Sequence, residues 1–293
     1  MENDFRSKFR QKFFEWLWII DDNTYNYLRY FLTYKRWPNI KHPKDYSEVL
    51  MAMKITGPSD LQIRCSDKAG VKDYCRQIGL GDHVIESLDV CTSIDDLRWD
   101  DYPMPYVVKV SNASKWNFIV MSKEDIDTAK NSLKICESRD YRIYYREPCY
   151  HPKMRTYVVE PWITKDGHSL EDYKVFCFNG EPTYIQYNFP DSPDKERIIL
   201  DFDNQPHPYV FSTGTCAKSV PDISSHLPAL YELAKKVCEP FVYVRVDCYI
   251  IDARVVVGEM TFYPSGGWVL SESDSVNRQW GSQIHWKGSD LRD

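Results

Sequence analysis

The chain reads as an α+β protein, and three features of its pattern say so. Through the first hundred residues apolar side chains recur at three- and four-residue steps, the spacing of helices. From Pro103 the texture turns to β-branched and aromatic alternation, the period of strands. Two pairs of alternating runs are joined by short polar turns, at Asn179-Gly180 and at Asp252-Ala253, and read as hairpins.

In order, Phe5, Phe9, Phe13, Trp16, Leu17 and Ile20 form one face of a helix whose other positions include Arg6, Lys8, Arg10 and Lys12. A basic amphipathic helix either packs on its own domain or lies against a membrane surface or a partner. Asp21 to Thr24 supply caps for a helix from about Tyr25 to Arg36, stopped by Pro38, and Tyr46 to Ile55 is the next, ended by Gly57-Pro58. Ser66 is read as the N-cap of a helix through Gln77. Leu88 to Asp101 is acidic and loop-like. Tyr106 to Val110 and Phe118 to Met121 are strands around the loop at residues 111–116, and Ser122 caps a helix to about Cys136. Tyr157 to Ile163, Asp172 to Phe178 and Glu181 to Asn188 are strands, and Ser225 to Cys238 is a helix. Residues 271–293 form either a loose tail or a late helix. The division expected is 1–102, helical; 103–162, a first α+β lobe; 163–270, a second; and 271–293, a tail.

Composition narrows the function classes. With 293 residues the chain has room for about two domains, and 43% hydrophobic with 27% charged residues is the balance of a soluble globular protein. A formal charge of −6 argues against a nucleic-acid partner. Nine cysteines, spread singly without ligand spacing, support neither a disulfide framework nor a zinc site and suggest a reducing cytoplasm. No apolar run approaches the roughly 18 residues of a membrane span, and the N-terminus lacks the small-residue cleavage site of a signal peptide.

The stretch from Phe241 to Gly267 carries the most chemistry. On its first strand Arg245 and Asp247 share the polar face; on its second, Glu259 and Thr261 share one. A plain two-residue turn at Asp252-Ala253 would pair Ile251 with Arg254 and set Asp247 opposite Gly258, leaving Glu259 on the wrong side. A three-residue loop or a bulge moves the register by one, so that Asp247 faces Glu259 and Arg245 faces Thr261. The shifted register is the one expected. Two acids and an arginine on a strand pair, followed by Pro264-Ser265-Gly266-Gly267, form either a metal-phosphate site or a surface ion pair. Lys109, in mid-strand opposite Val108 and Val110, is likewise either a solvated residue or a phosphate ligand.

Taken together the motifs resemble the TupA-like family of ATP-grasp proteins, found with cell-surface polysaccharide biosynthesis. The resemblance runs from about Pro38 to Gly267. It rests on Pro38 to Glu48 leading into a helix; on Cys65-Ser66-Asp67-Lys68 with Val71 and Tyr74; on YVVKV; on the loop before Trp116-Asn117; and on VVEPWI, DYKVFCFNG, RVDCY and EMTFYPSGG, in that order. It implies an ATP-grasp fold with two α+β lobes around a nucleotide cleft, preceded by the helical region. It further implies that Lys68 and Lys109 meet phosphates, that Ser114 and Lys115 belong to the loop over them, and that Glu160, Pro161 and Trp162 form the adenine-reading hinge. Asp172 and Lys174 follow on the next strand, with Lys174 at the transferring phosphoryl group. Asp247, Glu259 and Thr261 would hold Mg²⁺, Thr261 standing where the superfamily has an asparagine. Arg245 with Ser265 and Gly266 would stabilise charge at an acyl carbon.

Where the family has a Gly-Ser-Gly loop this chain has Ala113-Ser114-Lys115. Either Lys115 replaces backbone donors with a side-chain charge, or the lid is impaired. The implied reaction is ATP-dependent joining of a carboxylate, a uronic acid of a surface glycan, to a small amine. Two alternatives stand beside it: a kinase acting on a sugar hydroxyl, and a non-catalytic glycan-binding protein presenting Trp116, Trp162, Tyr184 and Trp268.

Overall fold

The computed structural model describes residues 17–111, 113–114, 116–138, 140–143, 145–150, 155–164, 170–190, 192–209, 215–268 and 273–288. Most of the basic amphipathic helix expected at the N-terminus therefore lies outside the described residues, as does Lys115. Leu17–Ile19 form a short 3-10 turn. Helix α1, Asp22–Tyr34, is capped by Asp21, whose carboxylate accepts from the Thr24 N–H at 3.0 Å. It ends at Lys35 in the left-handed region, before Pro38 can act. Helix α2, Tyr46–Thr56, is capped by Asp45 and is buried along nearly its whole length, from Tyr46 through Lys54.

The single helix expected over residues 66–77 is two. Helix α3, Asp60–Ser66, begins in a capping box of Ser59 and Gln62; helix α4 is Gly70–Gln77. Ser66 closes the first rather than capping the second. The break has a local cause: Asp67 turns to extended backbone and its side chain accepts from the Ala69 and Gly70 N–H groups, each at 2.9 Å.

Two sheets follow. The first has the order β1-β4-β2-β3, built from β1 (Asp89–Cys91), β2 (Tyr106–Val110), β3 (Asn117–Val120) and β4 (Tyr157–Pro161), all antiparallel. Helix α5, Ile126–Glu137, packs on it behind the Ser122–Asp125 capping box. Strand β1 falls within the segment expected to be loop, so the first sheet draws one strand from before residue 103.

The second sheet has the order β10-β9-β5-β6-β7-β8. Its members are β5 (Asp172–Phe178), β6 (Glu181–Asn188), β7 (Glu196–Leu200), β8 (Thr215–Cys216), β9 (Tyr243–Ile251) and β10 (Arg254–Thr261), with only β7 and β8 parallel. Helix α6 (Leu227–Cys238) and α4 lie on the face of Tyr173, Val175 and Cys177, whereas α2 and helix α7 (Asp274–Gln283) lie on the opposite face against Phe176, Phe178 and Tyr243, and both sides belong to a continuous apolar core. Of the two readings of the C-terminal residues, the late helix is the one formed. Trp280 on α7 is 1% exposed and stacks on Tyr184 at 5.0 Å between ring centres.

The hairpin of β9 and β10 has the shifted register. Its turn is the short one, Asp252-Ala253, both with positive φ, and Arg254 pairs with Ile251. A bulge at Gly258 then advances β10 by one residue, so that Glu259 faces Asp247 and Thr261 faces Arg245. Glycine is required there because a Cβ would overlap the ring of Tyr249. Among the described residues no helix is long and apolar enough to cross a membrane.

Candidate active site

On the second sheet, alternate residues of β5, β9 and β10 bring charged side chains to one face. Arg245 donates from Nε to Asp247 Oδ1 at 2.6 Å and from a terminal nitrogen to Oδ2 at 2.7 Å. Lys174 Nζ lies 2.7 Å from both Asp247 Oδ2 and Asp172 Oδ2. The network extends to Asn188, which donates to Asp172 at 2.8 Å, and on the other side to Thr261, which accepts from Arg245 and donates to Glu259, both at 3.1 Å. Burial alone would raise the Asp247 carboxyl; Arg245 and then Lys174 overcome it and hold it below the usual carboxylate range. Burial would lower Arg245, yet Asp247 holds its guanidinium well above its ordinary value.

Glu259 differs from its neighbours. Among the described residues no cation comes within ion-pair distance of it, and it accepts a hydrogen bond from Thr261. Asp172 Oδ1 is buried without a hydrogen-bond partner. The acceptors present are all oxygens, the set that Mg²⁺ prefers. No group of three or more Asp, Glu, His or Cys side chains suited to a metal occurs among the described residues, so this chain offers two carboxylates and a hydroxyl toward such an ion. The site fits Mg²⁺ on those terms, with Glu259 the open ligand and Asp247 reached only by loosening Arg245 or Lys174.

Above Glu259, residues Pro264–Gly267 make a tight turn in which Ser265, Gly266 and Gly267 all have positive φ. The Gly266 N–H donates to Tyr263 O at 2.8 Å and so is spent within the turn, while Ser265 is exposed. The turn is held from behind by Lys54, whose ammonium donates to Gly266 O at 2.7 Å and to the carbonyl of Tyr145.

The first sheet faces this site with a different arrangement. Glu160 on β4 is 4% exposed and takes an ion pair from Lys72 at 2.6 Å and another from Lys109. Burial would raise its carboxyl, but the two lysines hold it below the usual range. Lys109 is thus neither solvated nor free for phosphate in this state. Lys68, expected at the phosphates, donates instead to three carbonyls of the loop: Val110 at 3.1 Å, Ser111 at 3.3 Å and Ala113 at 2.6 Å. Its burial lowers the ammonium pKa. A second tie joins this loop to the residue before β4, Thr156 donating to Ser111 Oγ at 2.7 Å. Ser114 is half-buried in this pinned loop. Pro161 ends β4, and the Trp162 N–H closes back on Pro105 O at 3.0 Å.

Sequence reasoning missed Lys72, Lys54 and Glu147, all buried and all near these groups. Lys72 had a faint signal, lying four residues after Lys68. Lys54 had another, as a charge ending the apolar run Val49 to Met53. Two of the proposed glycan platforms are not available as such: Tyr184 is packed in the core under Trp280, and Trp268 is covered by Arg29, at 4.5 Å from its ring centre, and Lys54, at 5.0 Å.

Two α+β lobes, one presenting lysines and the other acids with an arginine, define a protein of the ATP-grasp class. Comparison with known proteins agrees. The chain matches the TupA-like ATP-grasp family over residues 49–285 and belongs to that family. No curated protein matches it. Similar solved structures include the D-alanine–D-alanine ligase of Bacillus anthracis, at 19% identity and a TM-score of 0.46, with 76% of this chain and 63% of that one covered. The ligase of the same name from Helicobacter pylori is 18% identical with a TM-score of 0.45, over 81% of this chain and 68% of that one.

Proposed function

We propose that this protein is an ATP-dependent carboxylate–amine ligase whose acid substrate is a uronic acid of a capsular or related surface polysaccharide. The observation that carries the reading is the β9–β10 register, which sets Arg245, Asp247, Thr261 and an uncovered Glu259 beside Lys174. Charge of both signs on adjoining strands suits a phosphoryl group in transit, where positioning and fixed electrostatics supply most of the rate.

In the first step a substrate carboxylate oxygen attacks the terminal phosphorus of ATP; the bond to the β-phosphate oxygen breaks and ADP leaves. Lys174 would follow the transferred phosphoryl group. In the second step the amine nitrogen attacks the acyl carbon, the carbon–oxygen bond to phosphate breaks, phosphate leaves with the electron pair, and the nitrogen gives up its extra proton to the departing phosphate. Arg245 stabilises the negative charge that gathers on the acyl oxygen, and the Ser265 hydroxyl is the further donor at hand. Mg²⁺, held by Asp247 and Glu259 with Thr261, would neutralise phosphate charge when bound. The second substrate is a small amine, and no nucleic-acid partner is part of the reading. None of the nine cysteines is joined in a disulfide, which supports a cytoplasmic setting. The basic N-terminal segment is consistent with peripheral contact at the inner face of a membrane.

Phosphate release across a panel of uronic acids and amines tests the reading. Asp247→Asn should reduce it by about 10²- to 10³-fold, the scale of losing a well-placed charged group. Undiminished turnover would overturn the site assignment. A product that keeps the phosphate and needs no amine would mark a kinase instead. Saturating Mg-ATP should raise the melting temperature, because specific binding stabilises the fold by mass action; no rise would sink both enzyme readings.

A further inference from the structure

We propose that Glu147 is the binding carboxylate for the amine substrate, and that this substrate arrives as a primary ammonium. The inference rests on the ligase reading above and deepens it.

Glu147 lies in the segment leading to β4, outside every motif of the family resemblance. It is 5% exposed, and among the described residues its carboxylate makes no hydrogen bond and no ion pair. A buried carboxylate without a partner is costly, and the common remedy is a cation. Lys54 is close enough for its charge to be felt, but its ammonium is turned to the carbonyls of Tyr145 and Gly266. The other charges that reach Glu147 are those of Glu259 and Arg245, on the face already assigned to phosphoryl transfer.

The segment is held against the acyl end of that face. The Tyr145 side chain covers Gly266 so closely that a Cβ there would lie 2.5 Å from Tyr145 Cβ. Lys54 links the two backbones from below. Arg146 takes the left-handed region, with φ of 49°, which is uncommon for a non-glycine residue. Its side chain is fixed by Asp22 at 2.6 Å, by Leu17 O at 3.1 Å and by the ring of Trp18 at 3.9 Å. Glu147 follows this anchored bend directly, so its direction is set by the fold. Burial pushes its carboxyl up, and Lys54 opposes that; an ammonium beside it would pull it down.

An ammonium held here would stand beside the turn that carries Ser265; once it has passed one proton to the Glu147 carboxylate, its nitrogen lone pair is free to attack the acyl carbon. Lys54 and Glu147 then divide the work: the lysine positions the turn, and the glutamate supplies the charge the substrate meets.

The test separates cationic from neutral nucleophiles. Hydroxylamine is largely uncharged at neutral pH and traps an acyl phosphate as a hydroxamate, whereas ethanolamine and amino acids present an ammonium. With a uronic acid the wild type turns over, E147Q should raise the KM of the primary amine roughly thirty-fold, the scale of one charged hydrogen bond. Hydroxamate formation should stay within about two-fold and the KM for Mg-ATP should be unchanged. Glu147→Asp should recover part of the amine affinity. Equal loss with hydroxylamine and with primary amines, an unchanged amine KM, or a wild type that accepts hydroxylamine but no primary amine would each overturn the proposal. A wild type that forms neither hydroxamate nor amide with any uronic acid would remove the ligase reading itself, and this inference with it.

Discussion

Glu160 on the first sheet and Asp247 on the second are both buried carboxylates held between two cations, yet their surroundings leave opposite charge behind. Around Glu160, one acid meets Lys72 and Lys109. Around Asp247, three acids, with Asp172 and Glu259, meet Lys174 and Arg245. The first cluster has a positive remainder, suited to polyphosphate, and the second a negative one, suited to a cation. The cleft is therefore polarised by counting partners, although each central pair is closed on itself. Lys68 adds to the contrast, since it is used to pin a loop that the family builds from glycine.

Breaking the closed pair on the first sheet should have the larger effect on stability. Glu160→Gln leaves Lys72 buried without its acid, at a cost of about 3–5 kcal/mol in urea unfolding. Adding Lys72→Met should recover most of it. An unaltered midpoint for the single variant would show that the two clusters are not alike in kind.

Gly258→Ala probes the second cluster through its register. The new methyl overlaps the Tyr249 ring, so the strand or the ring must move, costing about 1–3 kcal/mol. The stabilisation by Mg-ATP in a thermal shift should fall with it, because Glu259 and Asp247 would no longer stand opposite. A variant that loses stability but keeps the full nucleotide shift would separate register from binding.

Acid gives the gentlest test. Glu160 and Asp247 both have native pKa values below their ordinary range, so the native state binds fewer protons than the unfolded chain there. Their stabilisation is complete above that range and is lost as pH falls through the lowered native values. Stability measured from pH 7 downward should decline through the carboxylate range, and Asp247→Asn should make the decline shallower. Curves of equal slope would mean that Asp247 does not carry its share.

What could be read from the sequence was what repeats locally. The alternation of Arg245 with Asp247 and of Glu259 with Thr261 gave the faces, and the need for them to meet gave the bulge. Contacts between distant residues were not legible: Lys54 meets Gly266 across 212 positions, and β1 is three residues long and paired only with β4. The break at Asp67 was hidden because a helix-compatible run continues through it, and only a side chain turned onto two amides ends α3. Lys68 was expected at the phosphates by resemblance, whereas its bonds to carbonyls depend on where Ala113 lies in space.

Helix α7 bears on how the chain reaches this state. Gly281 lies so close to the backbone of Asp45 and Tyr46 that a Cβ would overlap it, and Asn277 accepts from the Ser47 N–H at 3.1 Å. Asn179 also bonds to Gln283 O and to the His285 N–H. During synthesis from the N-terminus, α2 would wait for a partner made 230 positions later, and the turn at Asn179 for one made 104 positions later. The second lobe should thus acquire its final packing only after α7 has emerged from the ribosome, making folding a late event in which early segments are exposed to chaperones.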